Sequence, residues 1–88
     1  MSAEPWSVEF ERRAAKDLER LDPPVRQRVI TAIQRLADDP QSAGLRKLAG
    51  RSESRLRVGG WRVIVDLDVA QRTIVVVRVL PRGRAYDR

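Results

Sequence analysis

Arg55-Leu56-Arg57-Val58-Gly59-Gly60-Trp61-Arg62 decides how this chain folds. Apolar and charged residues alternate on both sides of a Gly-Gly pair, the pattern of a β-hairpin closed by a two-residue turn. Type I′ and II′ turns need positive φ, which glycine adopts without steric cost. With Gly59-Gly60 as the turn, Val58 pairs with Trp61, Arg57 with Arg62, Leu56 with Val63 and Arg55 with Ile64. Successive side chains point to opposite faces, so Arg55, Arg57 and Arg62 share one face. Like charges directly opposite each other destabilise a sheet by ~0.2–1 kcal/mol, so guanidiniums kept there point to something anionic. The alternative is a solvated polar face whose long stems cover apolar neighbours.

Two further strands follow from the hairpin. Trp61, Val63, Val65 and Leu67 form one face of the middle strand, and Arg62, Ile64 and Asp66 the other. Asp68 to Arg72 is a turn, and Thr73–Leu80 is apolar almost throughout, as expected of a strand covered on both sides. Upstream, Leu45 to Gly50 is an ambiguous bridge in which Leu45 and Leu48 are candidates for the core. Helical spacing governs residues 11–39. Ala14, Leu18 and Leu21 make one stripe, with Lys16, Asp17 and Glu19 assigned to the solvent side. Asp22 is placed to cap a second helix, with Pro23-Pro24 in its first turn, where amide donors have no partner anyway. That helix carries Val25, Val29, Ile33 and Leu36 and stops near Asp38-Asp39-Pro40. Trp6, Val8 and Phe10 alternate as a first strand. The expected fold is α+β in the order β-α-α-β-β-β: one domain over residues 1–88, an antiparallel four-stranded sheet with the helical hairpin packed on one face.

Composition narrows the chemistry. The chain has no cysteine and no histidine, so thiol nucleophiles, Cys-type zinc sites and imidazole general bases are excluded. The serines therefore have no triad partner. No run approaches the roughly 20 apolar residues of a membrane span, and a cytoplasmic location is expected. The charge is uneven. Residues 1–44 hold seven basic and eight acidic residues, and residues 45–88 hold eleven and four, so the whole +6 excess lies in the second half. A concentrated basic half fits a nucleic acid or an acidic partner. If the tail Arg82-Gly83-Arg84-Ala85-Tyr86 folds back beside the hairpin, several guanidiniums and one aromatic ring come together. Such a group can hold a phosphodiester and stack a base.

Lys47-Leu48-Ala49-Gly50, the hairpin Arg55–Val65 and the tail Arg82–Tyr86 together resemble the RelE/ParE superfamily of bacterial type II toxins. The resemblance covers nearly the whole chain. RelE-like members are ribosome-dependent endoribonucleases that cut mRNA in the ribosomal A site. ParE-like members share the fold but poison DNA gyrase and are not nucleases. Both are normally neutralised by a cognate antitoxin, here expected to wrap the basic sheet or occupy the helical groove.

The resemblance implies a metal-independent and cofactor-free site. Arg62 matches the arginine that contacts the scissile phosphate, and Arg55 and Arg57 match basic residues of the preceding strand. Tyr86 matches a C-terminal tyrosine that stacks on a base and helps activate the 2′-hydroxyl, and Arg82 lies near the tail arginine. Lys47 and Arg84 are additional RNA contacts. A phenol ordinarily titrates at about 10, so a basic Tyr86 requires cations beside it. The sequence departs from the family in two places: Glu53 stands where a lysine is common, and Pro81 where many members have histidine.

Overall fold

The computed structural model describes residues 4–40, 46–47 and 53–81. Its elements are β1 (Ser7–Phe10), α1 (Arg12–Glu19), α2 (Pro23–Asp38), β2 (Arg46–Lys47), β3 (Glu53–Val58), β4 (Trp61–Asp68) and β5 (Thr73–Pro81). The expected α+β class is present, and so is the expected element order with one short strand, β2, added before the hairpin. Leu45, Leu48 and the residues beyond Pro81 lie outside the described residues.

The hairpin register agrees pair by pair with the alternation: Arg55 opposes Ile64, Leu56 opposes Val63, Arg57 opposes Arg62, and Val58 opposes Trp61. Of the two turn glycines only Gly59 has positive φ, +57°, which is the requirement of a type II′ turn. The sheet differs from expectation at both edges. Among the described residues it has five strands in the order β1-β5-β4-β3-β2, with the two-residue β2 antiparallel to β3. At the other edge β1 lies parallel to β5, not antiparallel. Alternation fixes which side chains share a face but carries no strand direction. The helical hairpin carries the chain from β1 to β2 at the opposite edge, and three antiparallel steps bring it back to β5 beside β1.

The helices cover one face. Ala14, Leu21, Val29, Ile33, Leu36 and Ala37 pack against Leu56, Val63, Val65, Ile74, Val76 and Val79 in a single buried cluster. Trp6 and Trp61 pack against its margin. α2 starts with Pro23 and Pro24 at its first two positions, and the Asp22 carbonyl accepts from Arg26 N–H at 2.9 Å. The Asp22 carboxylate itself makes no capping hydrogen bond, contrary to the expectation above. Instead Arg26 turns back, donating to the Leu18 and Leu21 carbonyls at 3.2 and 2.9 Å. One guanidinium thereby satisfies the end of α1 and fixes the entry to α2.

Two charged residues are structural: Asp17, assigned above to the solvent side, and Arg72 of the second turn. Asp17 is buried, accepting from Arg78 at 2.8 and 3.1 Å and from the Val79 backbone N–H at 2.9 Å. Arg72, in the left-handed region at φ 50°, donates to the Glu4 carbonyl at 2.6 Å and stacks over the Trp6 ring at 5.7 Å. It pins the segment that leads into β1.

Burial pushes the Asp17 carboxyl up. The hydrogen bonds from Arg78 and Val79 and the charges of Arg78 and Arg20 outweigh it and hold the carboxyl below its ordinary 3.8. A carboxyl depressed in the folded state adds stability that is complete above its unfolded value and disappears as pH falls through its folded value. Asp17→Ala is expected to cost about 3 kcal/mol, because it leaves Arg78 and the Val79 N–H unpaired. Urea titrations should show that difference at neutral pH and see it shrink below pH 3.8, where wild type loses the same contribution.

Candidate functional site

The face of the sheet turned away from the helices carries the candidate site. The inward positions of β3 and β4 are taken by Leu56, Val63 and Val65. Alternation therefore sends Glu53, Arg55 and Arg57 outward from β3, and Arg62, Ile64 and Asp66 outward from β4. Read toward the turn, the cross-strand rows are Glu53–Asp66, Arg55–Ile64 and Arg57–Arg62. The acidic row sits at one end and the arginine pair at the other, against the turn. The structure thus brings Arg55, Arg57 and Arg62 onto one face, as the sequence required.

Arg62 is the distinctive member. Its Nε is buried and has no hydrogen-bond partner among the described residues. Leu80 lies directly across from it on β5, and Ile64 is its neighbour two residues along the same strand face. Both are buried, with 8% and 1% exposure, yet stand apart from the main helical cluster. These apolar neighbours exclude water from the guanidinium stem. A buried donor left unpaired is costly, and the few that native proteins keep call for a specific explanation. An anion placed between Arg57 and Arg62 would satisfy that donor and relieve the repulsion of the pair in one step. The low local dielectric would strengthen the contact.

At the β2 edge, Arg46 stands opposite Arg55 and Lys47 opposite Ser54. Ser54 alternates with Arg55 and is buried on the helix-facing side, so position 46 rather than 47 continues the Arg55 row. Arg82, Arg84 and Tyr86 lie outside the described residues. β5 delivers the chain to them at Pro81, which opposes Trp61 beside the turn. Among the described residues no group of three or more acidic, His or Cys side chains is arranged to hold a metal, and no helix is long and apolar enough to cross a membrane.

A groove on the opposite side of the hairpin has no counterpart in the sequence reading. Pro24, Gln27, Arg28, Thr31, Ala32, Arg35 and Val58 line a space of about 520 Å³ between α2 and β3. Its two arginines form no ion pair among the described residues. Spacing along α2 identifies Arg28 and Arg35 as a seven-residue repeat on one stripe, but only the tertiary fold shows that Arg28 lies beside the turn.

Inorganic pyrophosphate is expected to raise the thermal midpoint of wild type, since a ligand that binds only the folded state stabilises it by mass action. The same titration should leave Arg62→Gln unchanged. Arg57→Gln should respond weakly to pyrophosphate yet be more stable than wild type without it, by roughly 0.2–1 kcal/mol, because the like-charge pair is gone.

The sequence over residues 8–86 matches the family model described as the ParE toxin of type II toxin–antitoxin systems, parDE. Among solved structures, the chain is similar to the RelBE2 toxin–antitoxin complex of Mycobacterium tuberculosis: 26% identity, 89% of this chain and 92% of that one, TM-score 0.79. It is also similar to the archaeal RelE–RelB complex of Pyrococcus horikoshii, at 25% identity over 93% of this chain and all of that one, TM-score 0.80. The chromosomal ParDE system of P. aeruginosa shares the fold at 14% identity over 92% of this chain and all of that one, TM-score 0.72. No curated protein sequence matches the chain.

Proposed function

This chain belongs to the ParE toxin family of type II toxin–antitoxin systems, and from that premise we propose that its arginine face is the RNA-cleaving site of a RelE-type, ribosome-dependent endoribonuclease. The observation that carries the reading is the buried, unpaired Nε of Arg62 beside Arg57. A phosphoryl group gains charge during reaction, and a donor aimed where charge develops acts without reorganising.

The reaction is attack of a ribose 2′-oxygen on the adjacent phosphorus. The 2′-hydroxyl proton passes to a base, the new P–O2′ bond forms and the P–O5′ bond breaks. The 5′-oxygen takes up a proton, leaving a 2′,3′-cyclic phosphate. Arg62 and Arg57 stabilise the dianionic pentavalent phosphorus, and Arg55 or Arg82 lies near the leaving 5′-oxygen. In this reading Tyr86 stacks on the base and accepts the proton, a role for which a phenol needs cations beside it. The ribosome supplies orientation, which replaces part of the missing general-base chemistry. This places the work in the cytoplasm. The antitoxin neutralises the toxin by laying acidic side chains against the unpaired arginines. The M. tuberculosis and P. horikoshii relatives are themselves seen in complexes with antitoxins.

A second reading, a gyrase inhibitor of the ParE type, is favoured by one feature: Glu53 occupies the place of the lysine common in the nuclease branch. Mapping mRNA 5′ ends after induction separates the two. Wild type is expected to generate new ends at defined codon positions, with Arg62→Ala reducing them about 10²–10³-fold. Tyr86→Ala should reduce them too. Growth arrest with intact mRNA and gyrase-dependent DNA damage would replace the nuclease reading with the second.

A further inference from the structure

The hairpin turn carries a glycine that the fold does not require. Gly59 is explained by its φ of +57°. Gly60 has no such φ, and among the described residues a Cβ built on it would meet nothing within 4 Å. The second position of a type II′ turn accepts ordinary residues, so neither backbone strain nor packing accounts for glycine there. Glycine there leaves room for another backbone or a ligand to approach the turn closely.

Arginines without partners surround this spot on both faces of the sheet. Arg57 and Arg62 flank it on the outer face. Arg28 reaches it from the helix side, its Nη1 lying 4.0 Å from where a Gly59 Cβ would be. None of the three pairs with a carboxylate among the described residues. The groove that contains Arg28 ends at Val58, the residue before the turn. We propose that the bare Gly59-Gly60 tip is a second phosphate-binding site, over which a single RNA strand crosses from the Arg57–Arg62 pair to Arg28. This rests on the RNA reading above and extends it from one phosphate to a path of at least two.

Guanidinium forks suit phosphate oxygens, and phosphate contacts fix the register of a strand without reading its sequence. A strand threaded over the tip is held on both sides of the scissile group, so Arg28 is a positioning residue rather than a catalytic one. An RNA backbone fits the site better than an acidic protein segment because close approach to a bare turn needs no apolar anchor. The strand can come from the message or from ribosomal RNA, and both present the same phosphodiester.

The test uses the whole chain and a fluorescein-labelled single-stranded RNA oligonucleotide, then vacant and mRNA-programmed ribosomes, each titrated over a salt series. Arg28→Gln is expected to lower the slope of log K against log salt by about 0.7, the value of one lost single-strand phosphate contact. Gly60→Ala is expected to weaken binding at an unchanged thermal midpoint. Effects on the oligonucleotide and programmed ribosomes alone assign the strand to the message; equal effects on vacant ribosomes assign it to ribosomal RNA. Both outcomes support the site. If Arg62→Gln lowers the slope but Arg28→Gln and Gly60→Ala do not, the tip site is overturned and the outer-face site stands. If none of the three changes RNA binding, the RNA reading itself fails. Should a poly-glutamate peptide, and not RNA, show the Arg28 and Gly60 dependence, the tip belongs to an acidic protein partner instead.

Discussion

The sheet face that bears the arginines depends on one buried carboxylate. β1 pairs with β5 only as far as Val76, so beyond that residue the β5 edge has no neighbouring strand on that side among the described residues. Asp17 takes over there, accepting from the Val79 N–H and from Nε and Nη2 of Arg78. The site of this contact is also where β5 slips by one residue against β4, between the pairs Val65–Val76 and Ile64–Arg78. Without the slip, alternation from Val76 would put Arg78 opposite Val63 in the helix-facing core and Val79 opposite Arg62. With it, Val79 returns to the core, and Leu80 comes across from Arg62. Charge pairing on one side of β5 therefore sets which apolar residue desolvates the guanidinium on the other.

This explains what could be read in the sequence and what could not. The hairpin was legible in full, because a Gly-Gly pair fixes the register and alternation then fixes every face. The second helix was legible because Val25, Val29, Ile33 and Leu36 leave one consistent stripe. β5 was legible only as a strand. Residues 74–77 and 79–80 are all apolar, so nothing in the sequence marks where the slip falls. Asp17 did leave a signal: it lies three residues from Ala14 and four from Leu21, inside the apolar stripe. Its charge obscured that position, since a carboxylate is rarely buried unless it finds a partner, and the partner lies 61 residues away. The parallel direction of β1 left no local signal at all.

The candidate site was legible as a face but not as an electrostatic environment. Alternation groups Arg55, Arg57 and Arg62; it does not say which of them loses its water. That difference comes from Ile64 and Leu80, a small apolar patch outside the main cluster. A fully hydrated arginine holds an anion weakly because water competes for both. A guanidinium with a buried free donor has already lost that competition, so the desolvation cost is borne in folding and not again on binding. The cross-strand repulsion of Arg57 and Arg62 acts in the same direction. Natural proteins sit close enough to their stability threshold that such a pair is a real burden, and it persists where function uses it.

The partners of each arginine separate scaffold from site better than total charge does. Arg26 closes α1, Arg72 holds the chain into β1, and Arg78 anchors Asp17; each is engaged by backbone carbonyls, a ring or a carboxylate. Substituting any of these disturbs the fold, and they offer little to a ligand. Arg28, Arg57 and Arg62 are of the same residue type, yet they lack ion-pair partners among the described residues and gather at the turn. Two of the three come from the basic second half, but Arg28 comes from the first half, which carries no net positive charge. The excess charge of the second half is thus an incomplete guide to the surface. Part of it is consumed by folding, and helix packing adds to it a cation that the linear sequence places 30 residues away.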